Sequence, residues 1–424
     1  MKFGSIYLHS NPRPWDKYSE QRLYNESLEQ IELTDKLGFD YAWAVEHHFL
    51  EEYSHAGAPE VFLAAASQRT KQIRLAHGIV QLPMGHNHPV RVAERIALLD
   101  LISNGRVDFG TGESTTAMEL EGFGIDRETK REQWQEALDA ITRMFVEEPF
   151  VQYEGKYLQM PERNILPKPL QKPHPPLWTA AGRRDQIKLC ASNGLGALSF
   201  SFIQPEEARS RVEEYYSIIQ SEECVPAGFN VNPNFAITIP MLCHEDEETA
   251  IERGIDGAHF FGYTNAYYYG FGQHRPGISN LWEDFEKNRE KMGFVRDTTS
   301  KKGEPSVAQL VEEKAGSLRG AIGTPDQIRE LLRKYEEAGV DQVIFVCQFG
   351  RTKHEHICES FELFAREVMP EFQEREAAHQ KRKQERLGDA VERALSRRKP
   401  PRISEGDLVV AAKNNLPSIA RTRN

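Results

Sequence analysis

The nine residues Val45–Tyr53, VEHHFLEEY, set an acid beside two adjacent histidines directly after the apolar run GFDYAWAV. Imidazole titrates near neutral pH, so a histidine with a neighbouring carboxylate suits proton transfer. The same side chains are metal ligands, and HNH at 86–88 adds two more histidines. His47, His48, His86 and His88 could in that case share an ion. A third reading is a polar rim with no chemistry. Ligand identity and spacing weigh against the metal. HNH precedes Pro89 and a helical pattern, and the later strand ends carry no matching His and Asp set.

Three further stretches carry residue types suited to binding: HGIVQLPMGHNHPVR (77–91), FGTGES (109–114) and AAGRRDQ (180–186). Gly110 and Gly112 either let a flat ligand approach the backbone or form a tight strand-to-helix turn. Gly182, Arg183 and Arg184 open a helical pattern. Free backbone N–H groups and two guanidinium groups there could hold a phosphate, or could simply be a solvated helix start.

The elements that must position these groups follow a regular grammar. Apolar runs at 2–8, 39–45, 73–80, 106–111, 176–181, 197–202, 234–242 and 342–349 alternate with amphipathic segments. Leu28, Ile31 and Leu37 recur at helical spacing before Gly38, a C-terminal cap. Thr324 and Pro325 supply an N-cap and first helical position for IRELLRKYEEAG. Eight strand–helix units predict a (β/α)8 TIM barrel, whose chemistry sits at the C-terminal strand ends. A doubly wound sheet would carry a Gly-rich turn after its first strand, and SIYLHSNPRPW has none. VEHHF then ends the second strand. Ala42, Ala44 and Glu46 share one face, expected toward the lumen, where small side chains would leave room for a ligand.

Two segments interrupt the alternation, as insertions after strands 4 and 7. Residues 149–175 predict a hairpin and a proline-rich linker. Residues 260–316, with FFGYTNAYYYGFGQHRPG, predict a lid on the catalytic face. A barrel over 1–372 and a charged helical extension over 373–424 complete the expected organisation.

The charge of -11 is uneven: residues 371–424 hold 13 lysines and arginines against 8 acids. An acidic body argues against a general nucleic-acid footprint. The basic tail could dock on that body or on a neighbouring subunit, although a solvated helix is the simpler expectation. No apolar stretch approaches membrane-spanning length, so no membrane partner is expected. Five scattered cysteines, none spaced Cys-x-x-Cys, and an N-terminus without a secretion pattern predict a cytoplasmic protein.

The segments GFDYAWAVEHHF, IRLAHGIVQLP, HPVRVAERIALLDLISNGRVDFGTG, HPPLWTAAG and GTPDQIRELLRKYEEAGVDQVIF together resemble the bacterial luciferase-like monooxygenases, from Met1 to about Phe372. The resemblance implies a flavin- or deazaflavin-dependent barrel enzyme. It implies reduced FMN supplied by a partner reductase, and O2 activation through a C4a-peroxyflavin acting on an apolar small-molecule substrate. His47 matches the histidine beside the flavin's reactive edge, with Glu46 or His48 as its support. Gly78 and Ile79 match a non-proline cis peptide under the ring. Thr111, Gly112 and Glu113 match the strand end lining the flavin, and Gly182 to Asp185 the phosphate loop. Glu113 stands where the family's catalytic luciferase subunit has arginine, which passes the phosphate to Arg183 and Arg184. The resemblance also implies a homodimer or higher oligomer through helices flanking strands 2 and 3, of which APEVFLAAASQRT is one. Two alternatives stay open: a deazaflavin-dependent hydride-transfer enzyme, and a non-catalytic subunit of a heterodimer.

Overall fold

Strands β1 (Lys2–Tyr7), β2 (Tyr41–Ala44), β3 (Arg74–His77), β4 (Val80–Gln81) and β5 (Val107–Gly112) open the chain. A short hairpin follows, β6 (Tyr153–Glu154) with β7 (Gln159–Met160). The remaining strands are β8 (Leu177–Ala180), β9 (Gly196–Ser199), β10 (Phe235–Cys243), β11 (Ala321–Gly323) and β12 (Gln342–Gln348). The computed structural model describes residues 1–200, 203–294, 318–406 and 408–410.

Hydrogen bonding runs β1-β2-β3-β5-β8-β9-β10-β12 and returns to β1, every pair parallel. This is a closed eight-stranded (β/α)8 barrel, and each staff is one of the eight anticipated runs. The sixth was expected to reach 202; β9 ends at Ser199, and Ser201 and Phe202 lie outside the described residues. β4 resumes β3 after Gly78–Ile79 and pairs with β5, while β11 adds beside β10.

Two apolar layers hold the barrel. The outer one packs Phe3, Ala42, Ala44, Leu75 and Phe109 against helix side chains such as Ile31, Leu63 and Ile96. The inner one gathers Ile6, Trp43, Ala76, Trp178, Leu198, Ala236 and Ile344, from seven different strands. The facing of β2 is therefore the reverse of the expectation. Tyr41 and Trp43 point inward, and Ala42 and Ala44 lie under the helices. An eight-stranded barrel has a lumen to fill, and a large residue fits where its neighbours are small. Trp43 meets Trp178 edge-on, with ring centroids 5.2 Å apart. Trp178 lies in register between Gly110 and Gly196, and a Cβ on Gly196 would sit 2.4 Å from its ring. The lumen is solid at this level, so ligand space is confined to the strand ends above it.

Local signals read from sequence recur in place. Helix Ser19–Leu37 ends at Gly38, whose φ of 85° is left-handed and whose N–H caps Asp35 and Thr34. Helix Pro325–Glu337 starts at Thr324, which exchanges bonds with Gln327 in a capping box. The 149–175 segment contains the β6–β7 hairpin. After β10, helix Glu247–Ala266 passes into one π turn, Tyr267–Phe271, and then helix Leu281–Asn288. Residues 260–266 are thus helical rather than loop, and 295–316 of the expected lid lie outside the described residues.

The tail docks on the body. Helix Met369–Leu387 buries Phe372 and Leu387 and crosses the N-terminal strand ends. Lys383 Nζ lies 2.9 Å from Asp341 Oδ1, just before β12, and Glu376 binds the chain's amino terminus. Past helix Ala390–Arg397, Arg398 pairs with Asp139 at 2.7 Å and the Arg402 N–H donates to Glu147. Part of the basic excess thus meets carboxylates of its own barrel, so the described tail docks along one face and leaves the other to solvent. Among the described residues no helix is long and apolar enough to cross a membrane.

Candidate active site

The chain leaves β2 at Ala44, and Glu46 turns at once toward the neighbouring strand. Its Oε2 accepts the Gln81 backbone N–H at 2.7 Å, and the Gln81 side chain donates back to the Glu46 carbonyl at 2.9 Å. Glu46 Oε1 accepts from Asn87 Nδ2 at 3.0 Å and lies 3.1 Å from His48 Nε2. Arg95 holds Asn87 in turn, at 2.6 Å. Glu46 thus fastens β2 to β4 and to the loop before helix Pro89–Ile102.

His47 has a different partner. Glu119, on the short helix Ala117–Gly122, places Oε1 3.1 Å from His47 Nδ1, and the same oxygen accepts the His48 backbone N–H and Gln81 Nε2. Thr116 and Ser114 donate to its Oε2 at 2.6 and 3.3 Å. Burial pushes this carboxyl up, but His47 and the donated hydrogen bonds outweigh it and hold the pKa at about 2. The expected support from Glu46 or His48 is corrected accordingly: both brace the loop, and Glu119 alone among the three carries a carboxylate against His47. Thr116-x-x-Glu119 has the pattern of a capping box, and Thr116 does cap Glu119 N. That pattern was the one sequence signal marking Glu119, and it speaks of a helix start rather than of a histidine partner.

An aromatic cover lies over the other side of His47. Tyr53 meets the imidazole edge-on at 5.4 Å, stacks on Phe261 at 5.6 Å and abuts Tyr268 at 6.2 Å. Its hydroxyl bonds to Asn265. Tyr269, 41% exposed, lies near Tyr53 and Glu119, and its pKa is raised by desolvation and by those two neighbours. The second half of VEHHFLEEY anchors this cover. Tyr268 donates to the Glu51 carbonyl, and the Gly277 N–H to the Glu51 carboxylate, each at 2.7 Å. The fully buried Glu52 accepts the Leu281 and Trp282 N–H groups that begin helix Leu281–Asn288.

His48 packs on Phe123 and His86, while His88 caps its own helix by accepting the Val90 N–H. Burial lowers the His86 pKa to about 4. Among the described residues no three His, Cys, Asp or Glu side chains are arranged to hold a metal.

The remaining predicted residues divide into two groups. Gly78–Ile79 is trans, since the cis peptides among the described residues all precede proline. The Gly78 N–H bonds to the Ala44 carbonyl at 2.7 Å, so the peptide continues the strand pairing. A Cβ on Gly110 would lie 1.9 Å from the His77 carbonyl, and one on Gly112 2.4 Å from Ile79 Cδ1. These glycines admit the neighbouring strand. Thr111 is buried in the outer layer, accepting from Trp134 Nε1 at 3.0 Å, and does not line the mouth.

Charged residues gather beyond them. Glu113 pairs with Arg131 at 2.8 Å and Lys130 at 3.5 Å, two cations the sequence reading missed. Arg131 attracts Asp185, so this cluster adjoins the start of helix Arg184–Ser192. Arg183 pairs with Asp185 at 3.1 Å, Arg184 donates to Ser210 at 2.8 Å, and the Gly182 carbonyl accepts from Arg211. Ile79, Met118, Phe200 and Phe261 pack on the inner core with part of their surface uncovered. An apolar wall beside clustered cations fits a ring system that carries a phosphate.

A closed parallel barrel with a histidine–carboxylate pair under an aromatic cover at its strand ends has the architecture of a TIM-barrel enzyme. Residues 1–342 match the luciferase-like monooxygenases, and the chain belongs to that family. It is 25% identical over 378 residues to the oxygenase component of flavin-dependent trigonelline monooxygenase from Acinetobacter baylyi, covering 88% of this chain and 96% of that one. Monooxygenase RslO1 from Streptomyces bottropensis superposes with a TM-score of 0.67 at 27% identity, covering 88% of this chain and all of that one. The coenzyme F420-dependent tetrahydromethanopterin reductase of Methanopyrus kandleri shares the fold, with a TM-score of 0.61 at 20% identity, covering 88% and 99% of the two chains.

Proposed function

We propose that the chain is the oxygenase component of a two-component, FMN-dependent monooxygenase acting on an apolar organic substrate. The observation that carries this reading is the His47–Glu119 pair held beneath an aromatic cover at the barrel mouth. Reduced flavin, when bound, supplies the electrons that activate O2 for insertion into substrate. Lys130, Arg131 and Arg183 would hold its phosphate, and Ile79, Met118 and Phe200 would flank its ring. Glu113 neutralises two of those cations, so a phosphate would bind by competing with or rearranging that ion pair.

His47 would hold and move a proton at Nε2, since Nδ1 is committed to Glu119. Glu119 fixes the imidazole's orientation through Nδ1. Glu46, through His48, Gln81 and Asn87, keeps the loop in place. Tyr53, Tyr268 and Tyr269 exclude water from the mouth.

The oxygenase-component relative supports a separate flavin reductase as partner. Purified chain, a flavin reductase, FMN, NADH and O2 should together oxygenate an apolar organic substrate. His47→Ala should abolish this while retaining flavin affinity. Activity without O2, with reduced deazaflavin in place of FMN, would instead establish hydride transfer. Inactivity with either cofactor would indicate a non-catalytic subunit.

A homodimer is part of the same reading. Val61, Leu98, Leu101 and Ile102 form an exposed apolar strip on helices Pro59–Arg69 and Pro89–Ile102, and a second copy would cover it.

A further inference from the structure

The loop from β5 to helix Ala117–Gly122, residues 113–116, touches both halves of the candidate active site. At its first residue, Glu113 pairs with Arg131 at 2.8 Å and with Lys130 at 3.5 Å. At its last, Thr116 donates to Glu119 Oε2 at 2.6 Å, and Ser114 donates to the same oxygen at 3.3 Å. One short segment thus joins the cation cluster to the carboxylate that orients His47.

The cations also grip this loop by its backbone. Lys130 Nζ donates to the Ser114 carbonyl at 2.6 Å, and Arg127 to the Thr115 carbonyl at 3.3 Å. Ser114 itself has a φ of 61°, a left-handed conformation that a residue with a side chain adopts only when its surroundings hold it there. Lys130 supplies that hold on one side of the residue and Glu119 on the other.

Lys130 and Arg131 open helix Lys130–Val146, where the macrodipole favours an anion over a cation. The Glu113 carboxylate provides the negative charge that this corner requires. Arg131 keeps 41% of its side chain exposed, whereas Glu113 keeps 14%, so an anion from solvent reaches the guanidinium first. A phosphate and Glu113 compete for the same donors, and both cannot hold them in full.

We propose that residues 113–116 form a relay: an anion of the phosphate-monoester class, bound at Arg131 and Lys130, displaces Glu113 and, through Ser114 and Thr116, resets the contact of Glu119 with His47. Lys130 is the positioning residue of this relay, because one ammonium faces both the anion site and the Ser114 carbonyl. The inference rests on the reading of the cation cluster as a phosphate site. Its consequence is that the histidine pair takes its working geometry only when the phosphate end of a ligand is seated.

Inorganic phosphate, titrated into the full chain, tests the relay without flavin, reductase or substrate. Calorimetry gives its affinity, and imidazole nitrogen NMR follows His47 Nδ1 and Nε2, assigned by their loss in His47→Gln. In wild type, phosphate should shift both resonances with the midpoint of its calorimetric binding. Glu113→Gln, with no carboxylate to displace, should bind phosphate about tenfold tighter and shift the His47 resonances less. Lys130→Met should abolish the response, and Lys130→Arg, which keeps a cation on the Ser114 carbonyl, should restore it. Phosphate binding with unmoved His47 resonances overturns the relay and leaves the phosphate site standing. A full response in folded Lys130→Met overturns it as well, and absence of phosphate binding overturns both. A His47 response in a chain that oxygenates nothing supports the relay and counts against the proposed reaction alone.

Discussion

Glu119 Oε1 stands 3.1 Å from His47 Nδ1 and 3.1 Å from the His48 backbone N–H, so one carboxylate oxygen orients the imidazole and the peptide beside it. Three other donors, Gln81, Ser114 and Thr116, hold the Glu119 carboxylate, which makes it a positioning residue for His47 rather than a free acid. Glu119→Gln keeps the shape and removes the charge. Turnover in the oxygenation assay should fall by about 10²-fold or more, within the range of a perturbed general acid–base group. Flavin affinity by fluorescence quenching should stay nearly unchanged. Unaltered turnover would remove Glu119 from the proposed mechanism.

The same carboxylate makes stability depend on acid. Its folded pKa of about 2 lies below its ordinary 4.5, so its contribution is full above 4.5. The contribution, about 3 kcal/mol by the linkage relation, is lost as pH falls from 4.5 toward 2. Urea unfolding of wild type and Glu119→Gln should differ most at neutral pH and converge near pH 2. A gap that persists undiminished at pH 2 would assign the effect to packing.

Glu52 ties the cover to the barrel through the first N–H groups of helix Leu281–Asn288. Glu52→Ala leaves those amides unpaired and should lower stability by about 1–3 kcal/mol. With the cover loosened, a larger share of the consumed O2 should appear as hydrogen peroxide than in wild type. Coupling efficiency, measured as product formed per NADH oxidised, reads this directly. Tight coupling in a destabilised variant would separate the anchor from water exclusion.

Gly110 has no space for a side chain, because a Cβ would meet the His77 carbonyl at 1.9 Å. Gly110→Ala should therefore cost about 4 kcal/mol or more and give little folded protein. Gly270→Ala, where nothing lies within 4 Å, is the matched control and should fold normally. Soluble yield and the thermal midpoint compare them.

The buried Asp341 joins the tail to the barrel floor, with Lys383 at 2.9 Å and Tyr216 donating at 2.6 Å. Lys383→Met removes that cation while His379, Tyr216 and the Phe235 N–H still face the carboxylate, and should destabilise by about 1–3 kcal/mol. Because the site is at the opposite end of the strands from His47, flavin affinity of the folded fraction should hold. Calorimetry and a flavin titration on one preparation provide both readings.

The strip on the two helices beside β2 and β3 gives a further outcome. Leu98→Asp with Ile102→Asp should convert a dimer to a monomer in light scattering, with the fold retained by circular dichroism. A monomeric wild type would dismiss the interface.

The order of apolar runs, Gly38 as a cap and the Thr324-Pro325 start determined by themselves that eight strands would alternate with helices. The position of VEHHF at a strand end followed from that order. Alternation along β2 could not say which face turns inward, because a barrel strand is apolar on both sides. Only the packing of Trp43 against Trp178, beside Gly110 and Gly196, decided it. His47 and Glu119 are brought together across 72 positions by the closure of neighbouring strands. Lys130 and Arg131 reach Glu113 in the same way, and Lys383 reaches Asp341. Local sequence records which residues favour a helix, a turn or a buried face. Which charged groups become partners depends on the spacing of strands around the barrel, and that exists only once the barrel is closed.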